Sequence, residues 1–160
     1  MAVLGIPLGC STLSDARRQF GGTVVHNGQD AAGSKMNLCY RGEDGTVLLF
    51  GCWECGGSKS DAMEANLRGD EFWLATSLAR IELGGAPDFN PSCTTTRRVS
   101  RATAVGSLRV GMARSAVVRV LGKPARETDG ELAYEDGARR LTVRFENDRV
   151  VSIYAARWWE

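Results

Sequence analysis

The feature that most constrains this chain is an approximate internal repeat, because a segment that recurs within one sequence predicts the same local structure twice. Residues 108–124 run Leu108-Arg-Val-Gly111-Met112, then Ala113 to Leu121, then Gly122-Lys-Pro124. Residues 6–22 run Ile6-Pro-Leu8-Gly9-Cys10, then Ser11 to Phe20, then Gly21-Gly22. With one extra residue in the first copy, Gly9 falls on Gly111, Cys10 on Met112, Ala16 on Val117, Phe20 on Leu121 and Gly21 on Gly122. Each copy reads as an apolar entry, a glycine turn, a short helix and a glycine stop.

The helix chemistry agrees. Thr12 followed by Asp15 resembles a capping box, with Asp standing in for the usual Glu or Gln. Val117, Val120 and Leu121 are spaced to share one helical face. Gly21 and Gly122 suit helix C-terminal caps, and Pro124 forbids continuation. The second copy lacks a good N-cap, since Ala113 and Arg114 stand where Ser or Thr is preferred.

Hairpin material follows each helix. In the second copy, Glu131–Glu135, the turn Asp136–Arg139, Arg140–Phe145, the loop Glu146–Arg149 and Val151–Arg157 predict an antiparallel meander. Alternation puts Leu132, Tyr134, Leu141, Val143, Phe145, Val151, Ile153 and Ala155 on the packed face. The other face receives Ala133, Glu135, Arg140, Thr142, Arg144, Ser152, Tyr154 and Trp158. In the first copy, Met36–Arg41, the turn Gly42–Gly45 and Thr46–Phe50 repeat the hairpin, and Phe72–Leu83 supplies a long third strand. Pairing Arg41 with Thr46 sets Cys39 opposite Leu48. The expected fold class is α+β: two tandem units, each a short helical segment packed on an antiparallel β-meander. The first unit spans 1–84 with an insertion at 51–70, a Gly/Pro/Ser/Thr-rich linker spans 85–103, and the second unit spans 104–160.

A chain of 160 residues can bury a core without metal or disulfides. Twenty basic residues against 19 acidic leave a formal charge of +1, which removes the electrostatic reason to expect nucleic acid as a partner. No apolar run approaches the ~20 residues of a membrane span. Residues 1–9 are too short for a signal peptide with its apolar h-region. No nucleophile elbow, phosphate-binding loop or His-rich metal motif is present, so no catalytic residue, cofactor or metal is assigned. The single histidine, His26, lies in a polar stretch without an acidic or nucleophilic neighbour and reads as a surface residue.

The glycine turn, the helix ending Leu121-Gly-Lys-Pro124, and the meander finishing Leu141-Thr-Val-Arg-Phe-Glu-Asn-Asp-Arg-Val-Val-Ser-Ile153 form a familiar series. Gly111 to Ile153 resembles the SmpA/OmlA-type domain of lipoproteins associated with outer-membrane β-barrel assembly. A tandem of two such units resembles the β-lactamase-inhibitory protein family. The resemblance covers 104–157 more closely than 4–83 and rests on turn and core positions. It implies a helix-on-sheet fold and a periplasmic or secreted setting, with a cytoplasmic one as the alternative. Cys39 lies in the first hairpin, where the inhibitor family carries a cysteine, but none precedes it in the 21–35 loop and the second unit has none.

Five cysteines, Cys10, Cys39, Cys52, Cys55 and Cys93, leave one over after internal pairing. Cys52-Trp-Glu-Cys55 is a CxxC that follows a strand and enters a Gly-Gly-Ser loop, without the βαβ setting of a redox dithiol. Structural disulfides or plain thiols outweigh a redox pair or half of a zinc site. With the register above, Cys39 and Cys52 are too far apart to join. A bridge from Cys93 to Cys52 or Cys55 is favoured, pinning the linker to the first unit.

The aromatics carry the functional expectation. Trp53, Trp73, Tyr154 and Trp158 lie on or beside predicted strands, and aromatics with arginine dominate protein hot spots. Core or sheet cover is their ordinary role. Their functional role, with Arg144, is a partner-binding face. The reading is a non-enzymatic protein-binding or assembly module acting on an envelope protein or secreted enzyme, or on a second copy of the chain. A thiol-redox or metal-binding protein using Cys52 and Cys55, and a secreted enzyme inhibitor, are the alternatives.

Overall fold

The computed structural model describes residues 2–8, 10–22, 25–30, 33–52, 80–84, 93–137 and 139–157, with backbone alone at 25–30, 33–36, 52, 80, 82 and 157. The first half opens with a hairpin of β1 (Ala2–Val3) and β2 (Ile6–Pro7), followed by helix α1 (Leu13–Phe20). Then come β3 (Val25–Asp30), β4 (Gly33–Arg41), β5 (Val47–Cys52) and β6 (Arg80–Gly84). A short strand β7 (Thr94–Thr95) separates these from a second hairpin, β8 (Ala104–Val105) and β9 (Leu108–Arg109), which leads into helix α2 (Arg114–Leu121). The chain ends with β10 (Arg126–Thr128), β11 (Glu131–Asp136), β12 (Arg139–Glu146) and β13 (Arg149–Arg157).

The fold is mixed α+β, and its sheets are almost wholly antiparallel. A nine-stranded sheet runs β10-β11-β12-β13-β6-β5-β4-β3, with β7 added in parallel to β4. The halves meet where β13 pairs with β6, Tyr154 opposite Glu82 and Ile153 opposite Leu83. They meet again in a four-stranded sheet, β2-β1-β8-β9, where Val3 lies opposite Val105. Both helices and one face of the large sheet share a core that includes Leu13, Ala16, Tyr40, Phe50, Val117 and Ile153. Burying this many large apolar side chains is the main stabilising term.

Local chemistry sets the helix ends. The Thr12 backbone N–H donates to Asp15 Oδ2 at 2.8 Å, and the Asp15 N–H donates to Thr12 Oγ1 at 3.2 Å, completing the capping box of α1. These bonds hold the Asp15 carboxyl below the usual carboxylate range. Helix α2 has no side-chain cap. Its first N–H, from Arg114, donates instead to the Asp148 carbonyl at 3.0 Å, in the β12–β13 turn. Asn147 and Asp148 both have positive φ, the conformation a two-residue hairpin turn of matching twist requires. The buried arc of α2 is centred on Val117 and extends through Val118 and Leu121, leaving Val120 47 % exposed. Val120 lies on the far side of Val117 from Leu121, so the expected Val117/Val120/Leu121 face is corrected there.

Two registers also differ from expectation. Arg41 pairs with Val47, so Cys39 faces Leu49 and not Leu48. The Asp44 Oδ1 accepts from the Thr46 N–H at 3.0 Å, and the Gly42 N–H donates to the Thr46 carbonyl at 2.8 Å. That side-chain turn lengthens the loop by one residue. In the second meander the register shifts between Arg144 and Phe145, so Phe145 pairs with Val150. Val150 is therefore buried, and Val151, expected inside, is the half-buried extra residue of a bulge.

The segment between the halves is fastened to the first meander. Cys93 is disulfide-bonded to Cys39, with Cα atoms 4.6 Å apart. Thr94 and Thr95 lie opposite Tyr40 and Arg41, and Val99 is buried in the main core. The Asp44 carboxyl accepts from the Arg101 N–H at 2.7 Å, and Arg97 pairs with Glu43 at 2.9 Å. The partner expected for Cys93, Cys52 or Cys55, is thus corrected to Cys39. Cys39 points away from the main core and packs with Val47, Leu49 and Cys93, the residue just before β7 pairs alongside β4.

Candidate functional site

The sheet has two unlike faces. The inner one carries the core. On the outer one, the first half is covered by the small cluster of Cys39, Val47, Leu49 and Cys93. The outer face of the second half is organised differently. Ala133, Thr142 and Ala156 are buried although they point away from the helices. Ala133 lies opposite Thr142 and Arg126, Thr142 opposite Tyr154, and Ala156 opposite Arg140. Short side chains therefore sit between long ones, whose stems shield them.

Arg144 stands on this face with its side chain 62 % exposed. Its Nε lies 3.5 Å from Glu131 Oε2, and Arg126 Nη2 lies 3.3 Å from Glu131 Oε1. One carboxylate thus holds two exposed guanidiniums side by side across β10, β11 and β12. Ion pairs this exposed contribute little to stability. They do fix where the two cations point. Tyr154, half-buried, lies on the same face, between Thr142 and Glu82. Of the residues expected to form the binding face, the structure brings together Arg144 and Tyr154. Trp53, Trp73, Trp158 and Cys55 lie outside the described residues, as does the side chain of Cys52, whose backbone pairs with Met36 at the end of β5. Cys10 is a free, exposed thiol. Arg97 and Arg98 are engaged with Glu43 and with the Gln19 carbonyl.

Arg114 is the residue the sequence reading missed. Its side chain is 17 % exposed and lies with its guanidinium carbon 4.4 Å from the Phe145 ring centroid. It pairs with Asp148 at 3.2 Å and Glu127 at 3.4 Å, and donates to the Thr128 carbonyl at 3.0 Å and to the Asp129 carbonyl. The available signal was an arginine in the first turn of a helix whose macrodipole disfavours it, with acids at 127, 129 and 148 to compensate.

Two tyrosines occupy matching places under the helix ends. The Tyr40 hydroxyl donates to the Gly21 carbonyl at 2.7 Å, and the Tyr134 hydroxyl to the Gly122 carbonyl at 3.4 Å. Burial raises the Tyr40 phenol well above its ordinary value, and burial with the nearby Glu127 charge raises that of Tyr134. Among the described residues no group of His, Cys, Asp and Glu side chains is arranged to hold a metal ion, and no helix is long and apolar enough to cross a membrane.

No family model and no curated protein matches the chain. Its architecture is similar to that of a cysteine-rich secretory protein from Staphylococcus aureus, with a TM-score of 0.56 and 9 % identity. The alignment covers 98 % of this chain and 45 % of that one, so this chain spans less than half the length of that protein. At such identity the likeness concerns the fold alone.

Proposed function

We propose that the chain is a non-enzymatic protein-binding module that works outside the cytoplasm and is built from two tandem hairpin–helix–meander units. The observation that carries this reading is the outer face of β10–β13. There Glu131 holds Arg126 and Arg144 exposed and adjacent, beside Tyr154 and a trough of buried small residues. A fixed pair of guanidiniums next to an aromatic ring suits an acidic protein surface. The Cys39–Cys93 disulfide supports a periplasmic or secreted setting, where such bonds persist. The secretory description of the staphylococcal protein points the same way.

The test is retention of a protein from envelope or culture-supernatant extract on immobilised chain, followed by the same experiment with Arg126→Glu/Arg144→Glu. The variant should release the partner while keeping its thermal midpoint, because both side chains are exposed. Equal retention by the two proteins, or loss of binding only through unfolding, removes the reading. Assay of the captured enzyme with and without the chain then separates inhibition from assembly.

A further inference from the structure

Among the arginines whose side chains are described on the outer face of β10–β13, Arg140 is the one that no carboxylate hydrogen-bonds. Arg126 and Arg144 each donate to Glu131. The cross-strand neighbours of Arg140 are Glu135 and Ala156. Its Nε stays 3.9 Å from Glu135 Oε1, and that buried N–H has no hydrogen-bond partner. A buried guanidinium donor without an acceptor is costly. The side chain as a whole is 36 % exposed, so the guanidinium can still be met from outside.

The three guanidiniums surround one place. Thr142 stands midway between Arg140 and Arg144 on β12, about 7 Å from each along the strand, and alternation puts all three on the same face. It lies opposite Ala133 on β11, which in turn lies opposite Arg126 on β10, and opposite Tyr154 on β13. Thr142 and Ala133 are short and buried, so neither projects between the arginines. Two carboxylates, Glu131 and Glu135, stand among the three guanidiniums, leaving one positive charge in excess. One further carboxylate above Thr142 would cancel that charge. It would also offer the Arg140 guanidinium the charged acceptor that Glu135 does not.

We propose that the partner's anchor on this face is a single aspartate or glutamate side chain, seated above Thr142 between Arg140 and Arg144. The inference rests on the protein-binding reading of the outer face and adds Arg140 to it as the residue that selects a carboxylate. Arg126 and Arg144, already held by Glu131, steer an acidic partner; Arg140 gains its hydrogen-bonded carboxylate only on binding.

The probe is acetyl-tetraglutamate amide, titrated into the full chain at low salt and followed by nuclear magnetic resonance at the arginine Nε–H signals, with acetyl-tetraglutamine amide as the neutral control. The glutamate peptide should saturate one site and shift the Arg140 Nε–H and Thr142 amide signals most, and the glutamine peptide should shift neither. Arg140→Gln should weaken the glutamate peptide at least fivefold. Arg139→Gln, which removes the same charge from the other face of β12, should change it less than twofold. Absence of saturable binding, an Arg140 Nε–H signal unmoved at saturation, equal binding of the glutamine peptide, or equal losses from the two variants overturns the proposal. The wild-type shifts decide the matter even where a variant fails to fold. The broader reading fails separately. If Arg126→Glu/Arg144→Glu still retains the captured protein, the outer face is not the docking surface. If that variant releases it and Arg140→Gln does not, the face docks its partner without this anchor and only the role of Arg140 falls.

Discussion

The Tyr40 hydroxyl lies 2.7 Å from the Gly21 carbonyl, tying the C-terminus of α1 to the end of β4. Gly21 has φ 73° and ψ −156°, so its own N–H turns back to the Arg17 carbonyl while its C=O is directed at the phenol. Gly122 has nearly the same conformation, with φ 82° and ψ −157°, and its carbonyl accepts from Tyr134. A helix of eight residues has little stability of its own. Anchoring its C-cap carbonyl to a core tyrosine replaces part of what length would supply.

Tyr40→Phe should cost about 1 kcal/mol near neutral pH, the net contribution of one such bond. The pH dependence has a definite sign. The folded-state pKa of Tyr40 is raised by burial, so its stabilising contribution is complete below the unfolded value near 10. That contribution is lost as pH rises through 10 toward the higher folded value. The phenylalanine variant has no such loss. The stability gap between the two proteins, measured by urea unfolding, should therefore narrow from pH 8 to pH 11. A gap that widens over this range contradicts the assignment.

Arg114→Ala should destabilise the chain by about 2–4 kcal/mol, since one mostly buried guanidinium serves two carboxylates, two carbonyls and the Phe145 ring. Lysine should recover little, because a single ammonium cannot reach donors spread over a planar fork. Thermal unfolding of both variants checks this. Full recovery by lysine reduces the role of Arg114 to its charge alone.

What could be read in advance depended on how local the determinants are. The capping box at Thr12 and Asp15, the helix-ending glycines and the inner face through Leu132, Val143 and Ile153 follow from neighbours in sequence. All three are set by residues within a turn or a strand of one another. The Arg41–Val47 register depended on an Asp44 side chain competing for a backbone N–H, and the Val150 inversion on a one-residue bulge. Alternation counting registers neither. Cys93 was matched to the wrong partner because its bond to Cys39 depends on β7 pairing alongside β4, a contact between distant segments that no local pattern carries. The Arg126–Glu131–Arg144 group needs the pairing of three strands, which no single stretch of sequence carries.

Gly84→Ala should cost about 2–4 kcal/mol. Gly84 has φ 141°, and a Cβ there would overlap the Val151 carbonyl and crowd the Ser152 Cα, both backbone groups that cannot rotate away. The glycine ends β6 opposite the bulge of β13, so the strain falls on the seam between the halves. Gly137→Ala makes the control: it also has positive φ, but a Cβ there meets nothing within 4 Å. Chemical unfolding should place Gly84→Ala well below Gly137→Ala. Equal effects would show that the close approach of β13 adds no cost at Gly84.

The Cys39–Cys93 bond closes a loop with a sequence separation of 54, for which the chain-entropy account gives about 4 kcal/mol. Loss of the bond frees the segment that carries β7 and Val99, yet Val99 remains apolar and Asp44 still accepts from the Arg101 N–H. The reduced protein should therefore fold, with native far-ultraviolet circular dichroism at 25 °C, and unfold at a markedly lower temperature. Cys39→Ser/Cys93→Ser should reproduce the effect without reductant, whereas Cys10→Ser, which replaces an exposed free thiol, should leave the midpoint where it was. Adding reductant to the double variant should then produce no further loss. A second fall on reduction would reveal another stabilising disulfide. An unchanged midpoint in the double variant would show that strand pairing at β7 and the burial of Val99 hold this segment without the bond.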